Sequence, residues 1–261
     1  LATEHGVVVG TARMNQILEI DAENRLARLQ PGVINARLTE ATKSFGLYYA
    51  PDPSSQSTCT LGGNVAENSG GVHCLKYGLT VHNILKLEVV LMSGESVTIG
   101  ADALDTPGYD LLALMTGSEG MLGVVTEVTV RLLPKPAVAR VILAAFDDLA
   151  VAGNAVAAII GAGIIPGGLE MMDNPAIRAV EDFVHAGYPR DAAALLLCEL
   201  DGTESEVEAG IRVVTRILEL QGATEMRVAT DEAERQRFWS GRKNAFPAVG
   251  RISPDYYCID G

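Results

Sequence analysis

Twelve consecutive residues, Leu61-Gly-Gly-Asn-Val-Ala-Glu-Asn-Ser-Gly-Gly-Val72, constrain this chain more than any other segment. Four glycines and two asparagines stand there among a few small or apolar side chains. Glycine lets backbone approach another group closely, and asparagine tolerates left-handed backbone while offering an amide. Such a run can expose peptide N–H groups with no side chains in the way, the surface a polyanionic cofactor needs. A flexible linker is the competing reading. Linkers, however, lean on Ser, Pro and charge, whereas this run sits between strongly apolar segments.

The bulk numbers narrow the field. The chain has 261 residues, enough for one large or two ordinary domains, and 48% of them are hydrophobic, which excludes disorder. A net charge of −13 argues against nucleic-acid binding, which needs clustered Lys and Arg. The longest apolar stretch, Ala155 to Ile165, is too short to span a bilayer and is interrupted by Gly161 and Gly163. Cys59, Cys74, Cys198 and Cys258 show neither CxxC spacing nor a disulfide framework, and no histidine pair has metal-ligand spacing. No signal peptide is evident, so a reduced cytoplasmic setting is expected. The chain opens on Leu1 and runs at once into a strand pattern at Gly6–Val9. It closes on another at Tyr256–Gly261. Both ends therefore read as cut inside elements of a longer protein.

Residues 1–136 read as mixed α and β. Strands are predicted at Gly6–Val9, Ile17–Ile20, Arg25–Gln30, Leu87–Met92, Ser96–Gly100 and Val124–Leu132, with turns at Asp21–Asn24 and Ser93-Gly94. Helices are predicted over Ile34–Phe45, stopped by Gly46, and over Tyr109–Thr116. Leu133-Pro-Lys-Pro136 breaks the pattern and marks a domain boundary. Residues 137–261 restart with strands at Val141–Phe146, Leu169–Met172, Ala194–Leu200 and Glu225–Ala229. Helices alternate with them at Leu149–Gly161, Pro175–Val184, Glu204–Gln221 and Asp231–Ala245. Thr203 with Glu206 forms a capping-box signature, and Thr230 is the expected N-cap of the last helix. This order suggests a ferredoxin-like α/β sandwich.

Other segments could carry chemistry. Ala50-Pro-Asp-Pro-Ser-Ser55 is a stiff loop with polar ends, for which a plain β-turn is the favoured reading when it is taken alone. Lys76-Tyr-Gly-Leu-Thr80 offers Tyr77 for stacking and Gly78 for a turn. Thr116-Gly-Ser-Glu-Gly-Met-Leu-Gly-Val-Val-Thr126 spaces its glycines as GxxGxxG and enters a strand, so a Rossmann phosphate site is not expected. Trp239, Arg242 and Phe246 recur at helical spacing. Arg242 could fork onto a carboxylate, or it could pair with Glu234 or Asp231. His73 and His82 flank the glycine-rich run and are candidate proton acceptors, while His5 and His185 have no supporting neighbours. The Met171-Met172 pair reads as core, and Asp173 as structural.

Taken in order, PDPSSQSTCTLGGNVAENSGGVHCLKYGLTVHN, TGSEGMLGVVTEVTVRLLPKP, LEMMD and FWSGRKNAFP resemble the FAD-linked oxidase family, which includes D-lactate and D-2-hydroxyglutarate dehydrogenases and a bacterial glycolate-oxidising branch. The resemblance covers essentially the whole chain and lies nearest that branch. It implies an α+β architecture: a PCMH-type FAD-binding domain over residues 1–136, then a ferredoxin-like α+β cap over 137–261. It places Pro53, Ser54 and Thr58 along the flavin. Gly62, Gly63, Asn64, Asn68, Gly70 and Gly71 fall at the pyrophosphate, ribityl chain and ring, with Tyr77 and Gly78 beside them. Glu119, Gly120, Gly123, Val124 and Val125 fall at the adenine and ribose end, and Arg242 at the substrate carboxylate.

The implied reaction is oxidation of a small D-2-hydroxy acid, glycolate ahead of D-lactate or D-2-hydroxyglutarate, by hydride transfer to flavin N5. The implied partners are a second FAD-binding-type subunit and an iron–sulfur subunit, with at most peripheral association at the inner membrane. A non-catalytic homologous assembly subunit is the alternative from another class, and an aryl-alcohol-type oxidase with histidine-linked flavin is a third. Relatives carry a further glycine-rich phosphate loop ahead of the stretch matching residue 1, and a histidine-rich segment beyond residue 261. The 261 residues alone are therefore expected neither to hold FAD tightly nor to turn over, and the proton-accepting base is expected in the later segment.

Overall fold

A computed structural model describes residues 8–104, 107–253 and 255. The chain divides into two compact units, Leu1–Lys135 and Pro136–Gly261. His5, Cys258, the strand expected at Tyr256–Gly261, and Gly6 and Val7 of the strand expected at Gly6–Val9 lie outside the described residues. Val8 and Val9 form no strand.

The first unit runs β1 (Ile17–Asp21), β2 (Leu26–Leu29), α1 (Asn35–Thr42), β3 (Leu47–Tyr48), α2 (Leu61–Glu67), α3 (Cys74–Tyr77), β4 (Ile84–Val90), β5 (Ser96–Gly100), α4 (Leu111–Met115), β6 (Val124–Arg131) and β7 (Leu133–Pro134). Five strands form one antiparallel sheet in the order β1-β2-β6-β4-β5. Both predicted turns join neighbouring strands: the Asp21 carboxylate accepts from Asn24 N–H at 2.9 Å, and Gly94 N–H bonds to Leu91 carbonyl at 2.9 Å. The expected Leu87–Met92 strand begins three residues earlier, at Ile84, because Ile84, Leu85, Leu87 and Val89 are all buried. The Ile34–Phe45 helix changes to 3-10 geometry over Lys43–Phe45, and the second expected helix is shorter than Tyr109–Thr116, with the Asp110 carboxylate capping Ala113 N–H. Leu38, Leu61 and Val65 pack with Ala27, Leu29, Leu87, Val89, Val128 and Val130 to make the core.

The glycine-rich run departs most from expectation, because its first half is a helix. Thr60 caps it by accepting Gly63 N–H at 3.2 Å, Leu61 and Val65 bury one face at i,i+4 spacing, and Asn68 ends it in the left-handed region at φ 51°. Burial of that face, with both ends capped, outweighs the roughly 1 kcal/mol that each glycine costs a helix.

The second unit runs β8 (Val138–Phe146), α5 (Leu149–Gly161), β9 (Gly168–Asp173), α6 (Asn174–Val184), β10 (Ala194–Gly202), α7 (Glu204–Leu220), β11 (Glu225–Val228), α8 (Glu232–Lys243) and α9 (Ala245–Ile252). Its sheet has the order β11-β8-β10-β9 with every neighbouring pair antiparallel, the ferredoxin-like arrangement. Strand alternation sends Leu196, Cys198 and Leu200 to the core formed with α5 and α7, and Leu195, Leu197 and Glu199 to the opposite face. The Thr203/Glu206 capping box forms as read. The α8 cap does not: Asp231 takes the role, accepting Glu234 N–H at 2.8 Å, while Thr230 donates to the Glu234 carboxylate. Asp173 caps α6 through Ala176 N–H at 3.0 Å. Met172 is buried, whereas Met171 is 40% exposed.

Candidate functional site

The two glycine-rich segments of the first unit, about 55 residues apart in sequence, meet. Gly117 N–H donates to Val65 carbonyl at 2.8 Å and Glu119 N–H to Ala66 carbonyl at 2.9 Å, tying the loop before β6 to the last turn of α2. Between them lies a cleft of about 320 Å³, lined by Gly62, Gly63, Glu119, Gly120, Gly123, Val124 and Val125 among the predicted residues. Thr60, Ser118, Pro31 and Thr11 complete much of its rim, and the sequence reading did not single them out. The cap position of Thr60 ahead of Leu61 and Val65 was the available signal.

This cleft is not a row of open amides. Gly62 N–H bonds to Pro31 carbonyl at 2.7 Å, Gly63 N–H to Thr60 Oγ1, and Asn64 N–H to Thr60 carbonyl at 2.9 Å. What it offers is bare backbone surface together with the Thr60 and Ser118 hydroxyls and the Glu119 carboxylate. Gly120, at φ +75°, has no atom within 4 Å of where a Cβ would stand, and Gly63 has only Thr60 Oγ1, at 3.3 Å.

The other nine residues predicted to contact the cofactor lie outside this lining. Asn64 is buried, its Oδ1 accepting from Asn35 Nδ2 at 3.3 Å and its amide 3.5 Å from Cys59 Sγ. Asn68 Oδ1 accepts Val81 N–H at 3.0 Å. Pro53, Ser54 and Thr58 belong to a tight turn in which Gln56 N–H bonds to Pro53 carbonyl at 2.8 Å and Thr58 N–H to Ser55 carbonyl at 2.8 Å. Gly70 packs against Leu79, and Gly78 closes α3. Tyr77 stands edge-on to Tyr48 at 6.2 Å, with Lys76 Nζ 5.4 Å from its ring centroid. Gly71 presses on Asp52 so closely that a Cβ would sit 2.5 Å from its Oδ1, and the other Asp52 oxygen is 2.9 Å from His73 Nδ1. The PDPSS turn and the second half of the glycine-rich run are thus one knot, held by an aspartate–histidine pair. His82 is occupied locally, its Nδ1 accepting Leu79 N–H at 3.0 Å.

Arg242 belongs to the second unit. Arg235, Trp239 and Arg242 recur at i, i+4 and i+7 on α8 and dock on the sheet through two carboxylates. Glu199 of β10, 3% exposed, accepts from Trp239 Nε1 and, at 2.6 Å, from Arg235 Nη1. Arg235 also meets Glu232, and the hydrogen bonds to these acids hold its guanidinium firmly protonated. Arg242 Nε donates to Glu170 of β9 at 2.9 Å, rather than pairing with Glu234 or Asp231 as weighed from sequence. Phe246 is not on the same helix, since α8 ends at Lys243 and α9 begins at Ala245. A third anchor is Tyr188, whose hydroxyl donates to Phe238 carbonyl while its ring packs on Gly241; burial pushes its phenol well above the usual range.

No helix among the described residues is long and apolar enough to cross a membrane. Residues 135–261 match the family model for the C-terminal domain of FAD linked oxidases, and residues 1–100 match the FAD binding domain model. The chain is 67% identical to glycolate oxidase subunit GlcD of Escherichia coli K12 over 261 residues, covering 100% of the chain and 52% of that protein. It is 43% identical to the Bacillus subtilis protein of the same name, covering 97% of the chain and 54% of the relative. Against a D-lactate dehydrogenase of Anaerostipes hadrus it is 33% identical, covering 94% and 53%. The chain therefore spans about half the length of the curated relatives it matches. Two solved structures share its fold. Alkyldihydroxyacetonephosphate synthase matches with a TM-score of 0.75 at 22% identity, over 92% of this chain and 46% of that one. Substrate-bound p-cresol methylhydroxylase matches with a TM-score of 0.72 at 18% identity, over 87% and 50%. With both domain models matched in order and a relative at 67% identity along every residue, the chain belongs to the FAD-linked oxidase family.

Proposed function

We propose that this chain belongs to an FAD-dependent enzyme that oxidises a small D-2-hydroxy acid, glycolate first among candidates. The observation that carries the reading is the joining of two glycine-rich segments, by two main-chain hydrogen bonds, around one cleft. The lining fits part of a dinucleotide. Gly63 and Gly120 leave open space where side chains would otherwise project, while Glu119, Ser118 and Thr60 supply groups that can hydrogen-bond ribose hydroxyls. When bound, FAD supplies the two-electron acceptor for the hydride on the alcohol carbon. Arg242 orients the substrate by its carboxylate, with α8 held on the sheet by Glu199 and Tyr188. Preference for glycolate over D-lactate rests on the identities, 67% against 33%. Because the relative at 67% is named as a subunit, we place this protein in an assembly as well. A second FAD-binding-type subunit and an iron–sulfur subunit are its expected electron-accepting partners.

The test is flavin content. Gly63→Leu adds a side chain at the cleft lining, from a position where a Cβ has only Thr60 Oγ1 within 4 Å. In the purified full-length protein it is expected to lower bound FAD per chain at least ~10-fold, with the circular dichroism unchanged. Stoichiometric FAD in the variant would refute the placement of the cofactor in this cleft.

A further inference from the structure

Arg242 enters the proposed reaction already holding a carboxylate. Its Nε donates to Glu170 Oε2 at 2.9 Å, and no other described residue accepts a hydrogen bond from its guanidinium. Both side chains are partly exposed, 28% and 22%, so the pair lies at a surface that solutes reach. Glu170 sits on β9 opposite Leu197 of β10, on the sheet face that also carries Glu199. The two acids thus meet successive turns of α8, Glu199 below Arg235 and Trp239, and Glu170 below Arg242.

A guanidinium can grip a carboxylate by two kinds of edge: the side, through Nε and one Nη, or the end, through both Nη atoms. With Nε given to Glu170, the end fork is the edge left that presents two N–H groups together. We propose that Glu170 is a positioning residue that fixes the Arg242 guanidinium so that a substrate carboxylate is received end-on, by Nη1 and Nη2. The inference rests on the reading of Arg242 as the carboxylate clamp and adds the orientation of that clamp. Glu170 has two opposed effects. Its charge repels an incoming carboxylate, whereas its hydrogen bond removes rotational freedom from a long side chain that must otherwise be ordered on binding. Positioning requires the second effect to win, and that sign is measurable.

The experiment uses the flavin-loaded enzyme and two readouts: steady-state kinetics with the hydroxy acid, and calorimetric binding of oxalate, a two-carbon dicarboxylate with no hydride to give. Glu170→Ala is expected to raise both KM and the oxalate Kd about 10-fold, with kcat changed less than about 2-fold. Glu170→Gln keeps an acceptor for Nε–H and is expected to stay within about 3-fold of the parent in both. On an Arg242→Ala background, Glu170→Ala is expected to add nothing, because its effect passes through Arg242. Tighter or unchanged oxalate binding in Glu170→Ala overturns the proposal, since the acid would then be a competing charge or a bystander. A Glu170→Ala effect that persists without Arg242 overturns it as well. If Arg242→Ala itself leaves oxalate binding unchanged, the clamp reading fails, a result distinct from either of the others.

Discussion

Gly241 offers a sharp test of how the arginine-bearing helix is held. A Cβ at this position would lie 2.5 Å from Tyr188 Cζ and 2.6 Å from Cε2, and close to the hydroxyl as well. Ordinary carbon contacts need about 3.5–4.0 Å, so the phenol would have to retreat by roughly 1 Å. It has little room. Tyr188 is 4% exposed, its backbone N–H donates to Glu181 at 2.8 Å, and its hydroxyl holds Phe238 carbonyl. Overpacking of this kind costs about 1–3 kcal/mol, and loss of the hydroxyl bond about 0.5–1.5 more. Against that, Gly→Ala in a helix returns about 1 kcal/mol of propensity. Gly241→Ala is therefore expected to destabilise by ~0.5–3.5 kcal/mol.

Gly153 of α5 is the control, because no atom lies within 4 Å of its Cβ position. Gly153→Ala should stabilise by about 0.5–1 kcal/mol. Urea unfolding followed by tryptophan fluorescence reports the right region, since Trp239 is the single tryptophan and lies two residues from Gly241. In a Tyr188→Ala background the penalty at Gly241 should vanish and the propensity gain should appear. A Gly241→Ala protein as stable as its parent, or more so, would refute the steric argument.

Other outcomes follow from individual contacts. Thr60→Ala removes the cap of α2 and should lower stability by about 1 kcal/mol in the same urea assay, while Thr60→Ser should recover most of it. Burial pushes the Cys198 thiol up from 9.0 to about 12, so it should resist alkylation at pH 8 in the native state and react once unfolded. The sign of its pH effect follows. Between pH 9 and about 12 the native chain keeps a proton that the unfolded chain has lost, so stability should fall by about 1.4 kcal/mol per pH unit, a slope missing in Cys198→Ala. A wild-type advantage over Cys198→Ala that is equal at pH 8 and pH 10 would contradict it. Arg242→Lys replaces a fork by a point charge and should raise the KM for the hydroxy acid about 10-fold or more; an unchanged kcat/KM would remove Arg242 from substrate binding.

Much of this fold was legible because its signals are local. Val124–Leu132 alternates, Thr203 and Glu206 make a capping box, and the β-α-β-β-α-β rhythm after Pro136 has few alternatives. The losses occurred where local and long-range terms oppose each other. α2 was hidden because its glycines argue against a helix, while the burial that favours one depends on Leu29, Val128 and Val130. β3 and β7, two residues each, lack the length to show any period. The two glycine-rich segments were visible as a pair, but not that Gly117 and Glu119 bond to carbonyls of α2, a contact that exists only once Asn68 has turned the chain. For Arg242, acids on its own helix were the natural guesses from sequence. Its partner, Glu170, lies 72 residues away and is brought there by sheet register.

The connection between the units has a practical corollary. Tyr48 pairs with Leu133, and Lys135 N–H donates to Gly46 carbonyl at 2.9 Å, so the chain stays laced to the first unit up to its last residue. The basic residue at the junction is followed by Pro136, and trypsin cleaves poorly before proline. Arg131 and Arg140, the basic residues on either side, lie within β6 and β8. Native trypsinolysis should thus leave the two units covalently joined, whereas a protease that accepts Ala137, which precedes β8, could separate them with the sheet of each unit intact.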